Sequence, residues 1–238
     1  MSTLNLLYKH EIPITQSISV VVPTIKQIID DEDYYNDIVS LFTATPMDMM
    51  VQLDDMGIDF SELNDFDLFI LFFPILREKD TSFIIKGIDF KDFDIAINEQ
   101  NGKLVLLDRE HDIKIDRAIH GQIASVLRNI NNIEPDRRKP ANKEARDFLI
   151  ERARAKQRRN KGRKRNSHIE SLIVSLVNTE QFKYNYETVL DLTIYQLNQS
   201  VKQIIHKIQF DNRMIGIYSG TVDAEKLSQD DLNWLSHK

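Results

Sequence analysis

The sequence predicts a mainly α protein with a small β insertion (α+β). Apolar residues recur at helical spacing over most of the 238 residues. Between about residues 80 and 115 the period changes to two, and the Asn101-Gly102 pair there suits a hairpin turn. We therefore divide the chain into an acidic helical N-terminal body with its β-hairpin (1–134), an exposed basic arm helix (135–166) and a helical C-terminal part (167–238).

The first elements follow from β-branched runs and from helix-start signals. Residues 4–7 and 18–22 are predicted to pair as short strands around a polar turn. Pro23 suits the first turn of a short helix that ends in the acidic cluster 30–33. The apolar spacing over residues 34–42 predicts a further helix.

Two helices with recognisable ends are expected in the centre of the body. The first starts at Thr45, whose hydroxyl can cap it, and stops at Gly57, which supplies a left-handed end residue. Asp59 or Asn64 caps the second, and its apolar run over residues 66–73 predicts the most buried element of the fold.

The change of period then predicts strands followed by an amphipathic helix. The strands are expected at residues 83–85, 93–98 and 103–107, with a short one at 113–115. Asp116 is placed to cap a helix that continues through Arg128.

The basic arm is set apart by a local reversal of charge. Residues 137–165 hold 14 Lys and Arg against 3 Asp and Glu, whereas residues 1–136 hold 11 against 25. A helix is predicted over residues 142–159, but Phe148, Leu149 and Ile150 are its only large apolar side chains. Such a helix cannot bury a stripe by itself, so we expect it to be exposed or bound to a partner.

The C-terminal part is predicted to be helical again. Ser167 is positioned to cap a short helix over residues 169–177. Residues 186–217 then carry apolar residues at a spacing that predicts one or two helices, with Gly216 and Gly220 marking their end.

Composition and motifs argue against an enzyme. The absence of cysteine excludes disulfides and thiolate metal sites. No phosphate loop, HExxH, GxSxG or dinucleotide fingerprint is present, and the six histidines are scattered without ligand spacing. We expect no cofactor and no catalytic or metal-binding residues. The N-terminus lacks a basic, apolar leader, and the apolar stretch 66–76 is too short to span a bilayer, so no membrane partner is expected.

One enzymatic alternative is a Mg²⁺-dependent nuclease. Asp94 lies on a predicted strand, and Asp112-Ile-Lys114 follows the hairpin. In such nucleases two carboxylates hold the metal ion and a lysine orients the attacking water. The parallel sheet with flanking helices that this fold requires is not visible in the sequence, so the nuclease is the weaker alternative. Asp108, Glu110 and Asp112 alternate as cation ligands would, but they lack the glycine and distal glutamate of a calcium loop.

The basic arm is the strongest functional signal. It either pairs with an acidic protein, including this chain's own acidic body, or follows a nucleic-acid backbone, or serves as a solvated linker. Phe148 is its only aromatic residue, which argues against base recognition. The residues expected to bind the partner are Arg146, Arg152, Arg154, Lys156, Arg158, Arg159, Arg163, Lys164 and Arg165.

Both ends of the chain resemble tail-region proteins from phages of Gram-positive bacteria. The resemblance rests on residues 22–29, 43–59 and 65–69 near the N-terminus and on residues 192–198, 216–220 and 232–235 near the C-terminus. It implies a tail or baseplate assembly protein similar to tail assembly chaperones, without catalytic residues, whose partners are other tail or baseplate proteins. The implied location is the host cytoplasm, with retention in the virion tail as an alternative. The resemblance does not extend to the basic arm.

Overall fold

The computed structural model describes residues 3–99, 101–162, 167–228 and 232–235, and it confirms the mainly α, α+β class. The helices in these residues are α1 (Ile25–Ile29), α2 (Glu32–Thr43), α3 (Met50–Asp55), α4 (Asp65–Arg77), α5 (Arg117–Asn131), α6 (Lys143–Asn160), α7 (His168–Val177) and α8 (Ile194–Tyr218). The strands are β1 (Glu11–Pro13), β2 (Ser19–Val21), β3 (Ile85–Lys86), β4 (Asp94–Ile97), β5 (Leu104–Asp108) and β6 (Ile113–Ile115). Short 3-10 helices occur at Thr3–Leu7, Phe90–Asp92, Thr188–Asp191 and Ala224–Lys226.

The strands form two antiparallel sheets of three strands each, in the orders β1-β2-β3 and β4-β5-β6. The prediction of a strand over residues 4–7 was wrong, because Thr3–Leu7 is a 3-10 helix. The partner of β2 is β1, since the turn between them is closed by Ile14 N–H donating to the Ile18 carbonyl over 2.8 Å. Both edges of β2 are paired, one with β1 and the other with β3, and this leaves residues 4–7 outside the sheet.

The β residues between 80 and 115 do not form a single insertion. β3 pairs with β2 of the N-terminal sheet, with Val20 opposite Ile85, whereas β4, β5 and β6 form a separate meander. Gly87 permits the first pairing, because its φ is +90° and a Cβ atom there would lie 1.9 Å from the Ser17 carbonyl oxygen. Only glycine tolerates both the positive φ and this approach of two backbones.

Side-chain caps fix most of the helix starts. Asn64 accepts hydrogen bonds from the backbone N–H groups of Phe66 and Asp67 and begins α4, whereas Asp59 caps no helix. Asp116 and Ser167 cap α5 and α7 as predicted. These oxygens satisfy N–H groups that have no partner within the helix.

The helix after Thr45 begins later than predicted. Thr45 and Asp48 do form a reciprocal pair, in which the Asp48 carboxylate accepts from the Thr45 N–H over 2.8 Å. The residues after Thr45 form turns, however, and α3 starts only at Met50. Gly57, with φ at +72°, follows the end of this helix as predicted.

The two remaining helical predictions are confirmed with adjusted bounds. Asn142 caps α6, which runs from Lys143 to Asn160. The region 186–217 gives one long helix, α8, preceded by a 3-10 turn. Its start is fixed by a capping box in which Thr193 and Gln196 satisfy each other's backbone N–H groups.

The main hydrophobic core joins the two ends of the chain. It contains residues of α2, α4 and α5 together with Val189, Leu192 and Leu197 from the C-terminal part. Ile25 N–H donates to the Leu192 carbonyl over 2.8 Å, and Ile194 N–H donates to the Pro23 carbonyl over 3.0 Å. The start of α8 is therefore built into the N-terminal part of the fold.

A second, smaller core lies between α6 and the helices α3 and α4. Its buried members are Met47, Leu53, Phe60, Leu68 and Ile150. This cluster positions the basic helix on the body. Within the described residues, no helix has both the length and the apolar character needed to cross a bilayer.

Candidate partner-binding surface

The apolar residues of α6 are divided between its two faces. Ile150 is 5% exposed and packs in the smaller core, where Leu149 also contacts the cluster. Phe148 is 63% exposed on the opposite side. The face of α6 that carries Ile150, which we call the inner face, is therefore docked, and the face that carries Phe148, the outer face, is open to solvent.

Two of the predicted partner-binding residues bind this chain's own carboxylates. Arg154 Nη2 donates to Asp54 over 2.7 Å and to Asp55 over 2.5 Å, and these hydrogen bonds raise the pKa of the guanidinium. Arg146 forms ion pairs with Asp59 of the body and with the neighbouring Asp147. The inner face thus combines one buried apolar contact with arginines aimed at the end of α3 and the loop after it.

The remaining cations of α6 are exposed. Arg152, Lys156, Arg158 and Arg159 are exposed and have no ion-pair partner within the described part of the chain. Arg152 and Arg159 follow Phe148 at helical spacing, so the three side chains share one side of the helix. Arg163, Lys164 and Arg165 lie outside the described residues.

A groove of about 1090 Å³ runs along the C-terminal half of α6. Lys156, Arg158 and Lys161 line one wall, and Met47, Asp48 and Met50 line the other. A bound segment would meet positive charge on one side, and the two methionines with the Asp48 carboxylate on the other. This groove and the outer face together form the candidate partner-binding surface.

The candidate nuclease residues are not assembled into a three-ligand group. Asp94 and Lys114 both lie opposite Leu107, on the two strands that flank β5. The Asp94 carboxylate pairs with Arg77 over 3.4 Å, and Asp112 lies in the turn before β6 with φ at +53°. The sheet is antiparallel rather than parallel.

A different trio comes together beside this sheet. Among the residues described, Asp92, Asp108 and His111 place one potential ligand atom each within 4.8 Å of one another. Asp108 already accepts hydrogen bonds from His111 Nδ1 (2.7 Å) and from the backbone N–H groups of Glu110 and His111. These contacts account for the carboxylate as the cap of the β5–β6 turn.

One further site could not be found from sequence patterns. A cleft of about 350 Å³ lies between the start of α4, the helix α5 and the residues before α6. His120 lines it, is 2% exposed, and stacks on Phe69 with ring centroids 4.3 Å apart. Burial, assisted by the charge of Arg128, lowers the pKa of His120 to about 4, so the ring is neutral near pH 7.

The comparison with protein families gives one match. Residues 159–238, roughly a third of the chain, match the model of the YomV second domain, a phage-derived protein family. This region contains α7, α8 and all three C-terminal stretches that suggested a phage protein. No curated protein and no solved structure matches the chain. The match supports a phage origin and does not specify a role in the tail or baseplate.

Proposed function

We propose that the chain is a non-enzymatic phage assembly factor that binds another virion protein, of the tail or baseplate, through the outer face of α6. The observation that carries this proposal is the asymmetry of α6. Its inner face is docked on the body, whereas its outer face presents the exposed ring of Phe148 together with Arg152 and Arg159, which have no ion-pair partner among the described residues.

An exposed phenyl ring with an arginine, Arg152, one helical turn away suits a protein partner. Aromatic and arginine side chains are enriched at the centres of protein interfaces, where an apolar anchor enters a pocket and charges pair around it. The expected partner surface is therefore acidic and offers an apolar pocket for Phe148. The phage-derived family match is consistent with a partner encoded by the same phage.

The test is reversal of the outer charges. Arg152, Lys156, Arg158 and Arg159 are changed together to Glu, and the tagged protein is purified from infected cells with its bound tail or baseplate proteins identified by mass spectrometry. We expect the bound proteins to be lost, because the reversed face would repel an acidic partner. A matched control reverses four exposed cations elsewhere, Lys26, Lys103, Arg109 and Lys114, which have no ion-pair partner in the described chain.

Equal recovery of partners by the outer-face variant and the wild type would refute the proposal. Loss in both variants would indicate dependence on net charge rather than on this surface. A Phe148→Ala variant adds a second measurement, since an apolar anchor in the interface centre typically contributes about 2 kcal/mol or more to binding.

Nucleic acid is the alternative ligand of the same face, because the exposed ring of Phe148 lies one helical turn from Arg152, which can contact phosphates. The purified protein is mixed with labelled DNA and RNA at low salt and the complexes are followed by gel retardation. Binding that weakens steeply with salt and disappears in the outer-face variant would favour this alternative. No retardation of either nucleic acid would exclude it.

A further inference from the structure

The cleft beside His120 contains a buried guanidinium whose hydrogen-bond donors are only partly satisfied. Arg128 is 7% exposed and donates from Nε and Nη2 to the Thr43 carbonyl over 3.0 and 2.6 Å. Its Nη2 also contacts Asp65 over 3.1 Å, and its Nη1 makes no hydrogen bond among the described residues. The side chain is therefore held in one position with a donor still available.

His120 provides a second buried polar atom without a partner. Its Nε2 is buried and forms no hydrogen bond within the described chain. A buried, unpaired polar atom costs free energy. The neutral ring can either donate or accept at Nε2, depending on its tautomer.

The charges around the cleft are unbalanced. Five cationic side chains line it against two carboxylates, Asp65 and Asp136. Asp65 is shared by Arg128 and Arg137, and Asp136 is taken by Arg138. Arg117 and Lys139 are exposed at the cleft and have no ion-pair partner in the described residues. The site therefore favours a ligand that carries negative charge.

The remaining lining is apolar and the space exceeds that needed by a bare anion. Met47, Phe60 and Phe66 contribute apolar surface to the cleft. Its volume of about 350 Å³ falls within the roughly 300–1,000 Å³ typical of small-molecule pockets. An oxyanion attached to a small organic body would use both parts of the lining.

We propose that this cleft binds a small phosphate monoester, with the phosphate held by Arg128, Arg117 and Lys139 and the organic part lying against Met47, Phe60 and Phe66. A phosphate dianion offers three oxygens, so it can accept hydrogen bonds from more cationic side chains than a two-oxygen carboxylate can. The site is separate from the outer face of α6, and this proposal does not depend on the proposed function.

The experiment is calorimetric titration of the full chain with inorganic phosphate, adenosine 5′-monophosphate, adenosine and acetate at constant ionic strength. We expect the nucleotide to bind more tightly than inorganic phosphate, and adenosine and acetate to bind weakly or not at all. The Arg117→Ala/Lys139→Ala double variant should bind the nucleotide about tenfold or more weakly, since two charge-assisted contacts are lost.

A charge-matched control is Lys103→Ala/Arg109→Ala, which removes two exposed cations outside the cleft and should bind like the wild type. An Arg128→Lys variant retains the charge but removes Nη1, and its folding is checked by thermal unfolding before titration. It should also bind more weakly, and unchanged binding by a folded Arg128→Lys protein would contradict the assigned contact.

Three results would overturn the proposal. The first is absence of binding by both phosphate and the nucleotide. The second is equal affinity for adenosine and adenosine 5′-monophosphate. The third is equal loss of affinity in the Arg117→Ala/Lys139→Ala variant and in its Lys103→Ala/Arg109→Ala control. If acetate binds as tightly as phosphate, the assigned ligand class is wrong. A failure here would leave the test of the outer face of α6 unaffected, because the two experiments use different residues and ligands.

Discussion

At the scale of single residues, buried polar side chains hold together segments that are distant in sequence. Arg128 donates to the carbonyl of Thr43, the last residue of α2, and so satisfies a group that helix geometry leaves free. Asp65 accepts from Arg128 and Arg137. Burial alone would raise the pKa of Asp65, but these two guanidinium groups lower it overall. The carboxylate therefore stays ionised and links α4, α5 and the start of the basic arm.

Stability should depend on pH through His120. Its pKa is about 4 in the folded protein and about 6.5 in the unfolded chain, so between these values the unfolded chain binds more protons. His120 therefore contributes stability that is complete above pH 6.5 and is lost as the pH falls toward 4. Between pH 8 and pH 5 we expect this residue to lower the free energy of unfolding by about 2 kcal/mol, measured by urea denaturation.

Replacing the imidazole ring of His120 distinguishes its contribution to the pH dependence of stability from the contributions of other titrating groups. His120→Phe keeps an aromatic ring against Phe69 and should reduce the difference in unfolding free energy between pH 8 and pH 5. His111 serves as a control, because its effect on stability has the opposite pH dependence. Hydrogen bonding to Asp108, and then the charge of Asp108, raise the pKa of His111, so its stabilisation is present at low pH and lost as the pH rises. His111→Ala should enlarge the difference that His120→Phe reduces; an unchanged difference in His120→Phe would contradict the assignment.

At the scale of elements, α6 is held by few contacts relative to its length. One buried apolar residue, a neighbouring leucine and two partly exposed arginines attach its 18 residues to α3 and α4. Partly exposed ion pairs contribute only about 0.2–1 kcal/mol each. Most of the docking energy must therefore come from the apolar contact of Ile150 and Leu149.

Truncation of Ile150 should release α6 from the body. Ile150→Ala removes buried apolar volume at a cost of about 2–4 kcal/mol, so the backbone amides of α6 should exchange with deuterium roughly thirty- to a thousandfold faster. Phe148→Ala is the matched control, because this neighbouring ring is exposed and its removal should leave exchange nearly unchanged. Equal exchange in the two variants would mean that α6 is not held through its inner face.

At the scale of the whole molecule, the segment that matches the phage-derived family is part of a shared core. Val189, Leu192, Ile194 and Leu197 belong to the same buried cluster as residues of α2, α4 and α5. The Thr24–Thr193 bridge adds backbone pairing between the two ends of the chain. The region 159–238 therefore buries its apolar surface largely against residues that lie outside it.

We expect residues 159–238 not to fold alone. Without the N-terminal part, the apolar face at the start of α8 would be exposed to water, and a single helix is marginally stable without packing. Circular dichroism should show no cooperative thermal unfolding for this fragment, in contrast to the full chain. Addition of residues 1–158 should restore a cooperative transition if the shared core is the cause. A sharp transition in the isolated fragment would contradict this expectation.

Most of the helix starts could be predicted from the sequence. The starts of α5, α6 and α7 were predicted within a residue or two, and Asn64 was one of two caps considered for α4, because each start depends on an oxygen-bearing side chain and the next few backbone N–H groups. The strand predicted at residues 4–7 was wrong, and the sequence did not predict that β3 pairs with the N-terminal sheet, because strand pairing joins residues far apart in sequence. The division into three parts and the partner-binding role of the basic arm remain predictions.

The sequence by itself determined the mainly α class, the β meander around Asn101-Gly102 and the basic helix, since charge, periodicity and capping are encoded within a few neighbouring residues. Only the tertiary structure decided that Arg146 and Arg154 face the body while Phe148 and Arg152 face solvent. It also placed His120 and Arg128 in one cleft with Lys139. These arrangements depend on which helix faces which, and that is set by burial across the whole chain rather than by any local pattern.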